Sequence, residues 1–226
     1  MDIINNFEFY CLSFNEKNKK NMLEKFNKLG IECKFYSGVK HNDKRIKYHI
    51  NSYNKCQMSI TYGHLDIIND YYNNSNKPYI IICEDDIMIH KNIKQILGKI
   101  TIDFNIMELD ILLLGYLLPY KFDNKNTHYS LKQSVYSRSL YNYYTYPEYH
   151  SGTQMYMITK KYAKFIIDKY NNDFYLLFDK RHLMDKLFIK EGNRALVYPM
   201  IAIEDKNQKD KYHKLCHKIH YNEWYI

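Results

Sequence analysis

Residues 79–83, Tyr-Ile-Ile-Ile-Cys, form a short apolar run that opens directly onto three carboxylates, Glu84, Asp85 and Asp86. A half-exposed strand alternates apolar and polar residues, whereas a continuous apolar run of strand length is covered on both faces. Such a strand sits in the middle of a sheet with helices on either side. Residues 111–114, Ile-Leu-Leu-Leu, repeat the demand. The spacing therefore predicts an α/β fold with a mainly parallel central sheet.

The intervening pattern agrees. Residues 7–12 read as a first strand and 31–36 as a second. Between them, 17–29 place Met22, Phe26 and Leu29 at helical spacing, and Gly30 supplies a stop. The stretch 38–54 is polar and reads as a loop. A helix is expected over 58–72, broken by Asn73, Asn74, Ser75, Asn76 and Pro78, and a shorter one over 93–100. Residues 154–158 are a strand candidate, with Thr159 as the cap of a helix over 160–170. A further helix is predicted over 182–190 and a strand over 195–198. We read the chain as one domain spanning 1–226, with 121–150 as a polar, Tyr-rich insertion over one end of the sheet and 204–226 as a charged, His-rich tail.

With 226 residues, 46% of them hydrophobic, the chain can close a sizeable core, which excludes disorder and small disulfide scaffolds. The 33 Lys+Arg against 25 Asp+Glu leave a net charge of +8, suited to an anionic partner such as a phosphorylated substrate, a nucleic acid or a membrane surface. The excess is spread thinly, with no arginine-rich arm and no block of like charge, so no nucleic-acid partner is expected. No apolar stretch approaches the about 18 residues of a membrane-spanning helix, and the start has no basic-then-apolar leader. Five cysteines without a Cys-x-x-Cys motif read as reduced thiols, which gives an intracellular, cytoplasmic expectation and argues against a closed zinc site.

The acidic triplet leaves the end of a buried strand, where open α/β sheets bind ligands. On an extended backbone residues two apart share a face, so Glu84 and Asp86 point together, an arrangement that asks for a cation between them. Hard oxygen donors favour Mg²⁺ or Mn²⁺. The plain alternative is a solvated acidic turn.

Several segments, taken in order, resemble glycosyltransferase family 25. Tyr10–Cys11–Leu12–Ser13 is similar to the family's first strand and nucleotide-facing turn, and Phe35–Tyr36–Ser37–Gly38–Val39 to the segment after the second strand. Thr61–Tyr62–Gly63–His64–Leu65 resembles its small-residue-then-His signature, with Gly63 where a Ser is usual. Glu84–Asp85–Asp86 resembles the acidic motif, and Leu109–Asp110–Ile111–Leu112–Leu113–Leu114–Gly115 the strand that follows. Ser151–Gly152–Thr153–Gln154, Asp185–Lys186–Leu187–Phe188 and Val197–Tyr198–Pro199 resemble the closing motifs. Asn18 and Lys19 stand where arginine is usual on the first loop; lysine brings charge without the bidentate fork.

The resemblance implies a nucleotide-sugar transferase domain of the GT-A type that uses a UDP-sugar donor and Mn²⁺ (or Mg²⁺). The reaction would be an inverting transfer of galactose or glucose to a hydroxyl of a glycan or glycosylated protein. It assigns Asp86 and Glu84 to the metal, and Asp85 to the ribose or a donor hydroxyl. Leu12, Ser13, Lys19, His64, Gly152 and Thr153 would contact the donor. Asp185 is the candidate base or acceptor-positioning carboxylate, with Asp179 as its substitute. Each has a plainer reading: strand packing at the first strand, a hydrogen-bonded core ring for His64, a turn for Gly152, an exposed ion pair for Asp185. His213, His217 and His220 share a helical face, and one of them is expected to complete the cation shell in preference to a separate zinc site. Tyr143 and Tyr144 are weak candidates for stacking on an acceptor sugar. A catalytically degenerate domain of the same fold that binds a nucleotide sugar or a partner is the alternative.

Overall fold

A computed structural model describes residues 3–47, 55–118, 141–146, 152–170, 189–205 and 210–224. A 3₁₀ turn, Ile3–Asn6, leads into β1, Phe7–Ser13. Then follow α1, Glu16–Leu29; β2, Lys34–Ser37; a single helical turn α2, Lys44–Lys47; and α3, Lys55–Asn74. Next come β3, Tyr79–Glu84; β4, Ile87–Ile89; α4, Ile93–Ile106; and β5, Ile111–Gly115. The later elements are β6, Asn142–Tyr144; β7, Met155–Thr159; α5, Lys160–Lys169; β8, Arg194–Tyr198; β9, Ala202–Glu204; and α6, Lys211–Trp224.

Seven strands form one sheet in the order β2-β1-β3-β7-β5-β8-β6, while β4 and β9 make a separate two-stranded ribbon. β1 pairs in parallel with β2 and β3, and β5 with β8. β7 and β6 run the other way, so five strands share one direction and the sheet is mainly parallel, as the apolar runs predict. Side chains of both faces are buried along β3 and β5 (Ile80, Ile81, Ile82; Ile111, Leu112, Leu113, Leu114), and they divide between two cores. α3 and α5 cover one face; α1 and α4 cover the other.

Local signals hold at the ends of elements. Gly30 terminates α1 in the left-handed conformation at φ 62°. Thr159 caps α5, accepting from the Tyr162 amide at 3.0 Å. Gly63 faces β1 so closely that a Cβ there would lie 2.7 Å from Leu12 Cδ1.

Other expectations are corrected. β2 starts at Lys34, three residues late, and α4 runs to Ile106. The Tyr-rich segment 121–150 contributes an edge strand, β6, within which Tyr143 is fully buried and donates to Asp103 at 2.7 Å. Tyr143 is therefore a core residue and not a sugar-stacking one. The helix expected over 182–190, and with it Asp179 and Asp185, lies almost entirely outside the described residues. No helix of the described residues is long and apolar enough to cross a membrane.

Candidate active site

Three strand termini meet at the edge of the sheet where the parallel strands end. β3 delivers Glu84 and the turn Asp85–Asp86. Antiparallel β7 starts at the same edge, so the residues before it, Gly152, Thr153 and Gln154, arrive there too; the Glu84 amide donates to the Gln154 carbonyl at 3.0 Å. β9 returns from far along the chain to pair with β4, placing Glu204 opposite Ile87, and the Asp205 amide donates to the Asp86 carbonyl at 2.7 Å.

Between them is a cavity of about 280 Å³. Its wall includes Glu84, Asp86 and Glu204, with Gly152, Thr153, Gln154 and His213 beside them. Gln57, Ile60 and Thr61, one face of the first turns of α3, close one side, and Leu117 after β5 another. As strand alternation predicts, Glu84 and Asp86 open onto one space. Asp85 turns elsewhere: its carboxylate accepts from Ser13 Oγ at 2.7 Å and from Asn18 Nδ2 at 3.2 Å, tying the acidic turn to β1 and α1.

Among the described residues the wall is acidic in a chain whose net charge is +8: it contains three carboxylates and no lysine or arginine. Burial pushes the Glu204 carboxyl up from its ordinary value and neighbouring Asp86 adds to this, while hydrogen bonds from Gln154 and His213 oppose the shift. Thr153 Oγ1 donates to Glu84 Oε1 at 3.0 Å, and Gln154 Nε2 to Glu204 Oε1 at 3.0 Å. Gln154 is 3% exposed, and its Oε1 has no hydrogen-bond partner among the described residues. Carboxylates, an orphaned amide oxygen and an imidazole make a donor set that fits Mg²⁺ or Mn²⁺. Among the described residues no three such side chains stand ready-made around one point, so an ion would need ligands from the substrate as well.

The other candidates fall in different places. Ser13 is buried beside Asp85, on the β1 side of the acidic turn. Leu12 is buried against Gly63. Lys19 is half-exposed, 3.8 Å from Glu16, and does not line the cavity. His64 lies one to two turns further along α3 than Gln57, Ile60 and Thr61 and is not in the cavity wall. It is fully buried and shares a 2.9 Å hydrogen bond with the Tyr156 hydroxyl.

Burial lowers the His64 pKa to about 3 from an ordinary 6.5, so the ring is neutral in the fold. Between those values the unfolded chain takes a proton at His64 that the folded chain refuses. The contribution from this ring is level above pH 6.5 and falls with acid toward pH 3, by about 1.4 kcal/mol per pH unit. Urea unfolding of wild type and His64→Gln from about pH 4 to 7 checks this; equal slopes would refute it.

His213, not His217 or His220, is the tail histidine that reaches the cavity. His217 Nδ1 donates to the Glu204 carbonyl at 2.7 Å, and His220 Nε2 to the Leu118 carbonyl at 2.8 Å. Neither Glu204 nor Gln154 was a site candidate on sequence. A glutamate 118 residues after Asp86 is brought beside it only by the β4–β9 pairing. Gln57, Ile60 and Thr61 at i, i+3, i+4 were the one available signal on α3.

The family model for glycosyltransferase family 25, described as an LPS biosynthesis protein, matches residues 7–181. No curated protein matches the chain by sequence. Among solved structures the chain is similar to A197 from STIV, at 11% identity over 84% of this chain and 80% of that one, with a TM-score of 0.46. A glycosyltransferase involved in glycosylation of the major capsid of PBCV-1 matches at 10% identity over 73% and 67%, with a TM-score of 0.38. An apo UDP-glucose pyrophosphorylase matches at 9% over 96% and 99%, with a TM-score of 0.44.

Proposed function

Because this chain belongs to glycosyltransferase family 25, matched over residues 7–181, we propose that it is a metal-dependent, inverting hexosyltransferase of the GT-A type. The donor is a UDP-sugar, carrying galactose or glucose, and the acceptor a hydroxyl of a glycan or glycosylated protein. One observation carries the reading: Glu84 and Asp86 line a single acidic cavity at the edge of the sheet, together with the unpartnered oxygen of Gln154. Acidic walls of this kind do not receive a diphosphate unless a cation accompanies it.

Glu84 and Asp86 would hold Mn²⁺ or Mg²⁺, which when bound offsets the charge that develops on the departing diphosphate. Thr153 fixes Glu84 at the wall through its hydroxyl, which donates to Oε1. Gly152 lets the backbone approach the sugar with no side chain in the way. Ser13, Asn18 and Asp85 form the hydrogen-bonded floor at the end of β1 on which the nucleoside would rest, with Lys19 near enough in sequence to lend a positive charge to the phosphates. Asp185 is proposed as the base that takes the acceptor proton. The absence of a long apolar helix among the described residues and the five free cysteines support an intracellular setting.

Thermal-shift titration with UDP, UDP-glucose and UDP-galactose, each with and without Mn²⁺, tests the reading. At about 100 times the dissociation constant a ligand adds about 2.7 kcal/mol to stability. A Mn²⁺-dependent shift is expected with at least one UDP species. No shift with any of them, in a protein that melts cooperatively, would overturn the donor assignment, while a shift without turnover on any acceptor would favour the degenerate, binding-only alternative.

A further inference from the structure

Glu204 is buried, and its carboxylate is fully engaged by the protein. His213 Nδ1 donates to Oε2 at 2.7 Å and to Oε1 at 2.8 Å, and Gln154 Nε2 donates to Oε1 at 3.0 Å. An imidazole nitrogen facing a carboxylate this closely carries the proton, so in the neutral ring the lone pair is on the other nitrogen, Nε2. The main chain of Glu204 holds the same helix one turn on, where its carbonyl accepts from His217 Nδ1 at 2.7 Å. One residue of β9 thus fixes both the height of α6 and the tautomer of the histidine that α6 brings to the cavity. Neither Glu204 nor His213 lies within the span matched by the family.

We propose that Glu204 is a positioning residue that acts through His213, setting it as the Nδ1–H tautomer so that the Nε2 lone pair is offered to the ligand in the cavity. Gln154 completes the arrangement: its amide N–H keeps the Glu204 carboxylate turned toward His213, and its own Oε1, orphaned and buried at the wall, marks the space as one that receives a donor or a cation. The ligand class follows from the neighbours. His213 stands in the same wall as Glu84 and Asp86, so its Nε2 serves as a nitrogen donor to a divalent cation, an inference that rests on the cation reading above. Carboxylates that take the second ring N–H of a metal-binding histidine raise its basicity and hold its plane.

The test reads the tautomer and the cation separately, on the full chain. Long-range ¹H–¹⁵N correlation spectra of histidine-labelled protein without cation should show His213 as Nδ1–H in wild type and as a mixture or Nε2–H in Glu204→Leu. Glu204→Asp should restore the wild-type form in part. Mn²⁺ binding, followed by the free-ion electron paramagnetic resonance signal with no donor present, should weaken about 10–100-fold in Glu204→Leu. The loss should match that of His213→Ala, and the double variant should lose no more than His213→Ala alone. If Glu204→Leu does not fold, Glu204→Gln carries both readouts, with losses between wild type and His213→Ala. An unchanged tautomer in a folded variant, or losses that add in the double variant, would overturn the proposal. Absence of Mn²⁺ binding in every form would overturn the cation reading alone, and the tautomer would still decide the role of Glu204.

Discussion

Asp86→Ala is expected to separate activity from stability. Mn²⁺-supported transfer should fall by about 10³-fold in kcat/KM, or about 4 kcal/mol, the scale on which one group that stabilises developing charge is felt. Asp86 stands in a wall with Glu84 and Glu204, and it pushes the Glu204 carboxyl up, so its removal relieves repulsion on that buried acid. Its contribution to the β4–β9 ribbon is the main-chain carbonyl, which alanine keeps. Denaturant unfolding without metal should therefore give a midpoint equal to or above wild type, and added Mn²⁺ should no longer raise it. A variant that is both inactive and clearly destabilised would mean that Asp86 is structural and that the carboxylate wall has another purpose.

Gly152→Ala should have the largest effect on stability. Gly152 lies at φ 108°, a region that L side chains rarely enter, and a Cβ there would stand 2.5 Å from the Leu117 amide nitrogen and 2.5 Å from Gln154 Oε1. Backbone strain and overlap with a main-chain atom together should cost about 3 kcal/mol or more. For a chain of this size that lowers the melting temperature by about 6–12 °C. Gly98→Ala is the matched control. It lies within α4, its Cβ would meet only Ile3 Cγ2 at 3.7 Å, and it should stabilise by about 0.5–1 kcal/mol because alanine favours the helix. Both are read by thermal melting, and a Gly152→Ala protein as stable as wild type would show that the turn into β7 tolerates an ordinary backbone.

The legible parts of the chain were those fixed by local physics. Continuous apolar runs gave β3 and β5 because burial on both faces admits no polar residue. Gly30 and Thr159 marked ends because a left-handed stop and a hydroxyl cap are properties of single residues. The acidic turn was legible for the same reason: alternation along an extended backbone sends Glu84 and Asp86 to one side and Asp85 to the other. What escaped depends on partners distant in sequence. Strands of three residues, such as β4, β6 and β9, carry too little pattern to be seen alone, and nothing local says that β7 runs against its neighbours. The depth of His64 was not legible because a motif on a helix names residues in order but not their depth; the first turns of α3 reach the cavity and the turns beyond lie under the sheet. Glu204 and His213 became neighbours of Asp86 only through a strand pair that closes across more than a hundred residues.

The reversed direction of β7 has a consequence for how this protein comes into being. β7 pairs with β3 and β5 on its two sides, so it is the strand that joins the β2-β1-β3 half of the sheet to the β5-β8-β6 half. Its register with β3 links residues 72 to 80 apart in sequence, a pairing whose loop-closure entropy must be met before any contact rewards it. The cavity is bounded by residues from Gln57 to His213, and no contiguous fragment of the chain contains them all without containing the seam. The complete cavity is thus a property of the finished molecule: a chain that has not yet made β7 lacks Gly152, Thr153, Gln154, Glu204 and His213 from its wall, so binding that needs the whole wall would report that the two halves have been joined.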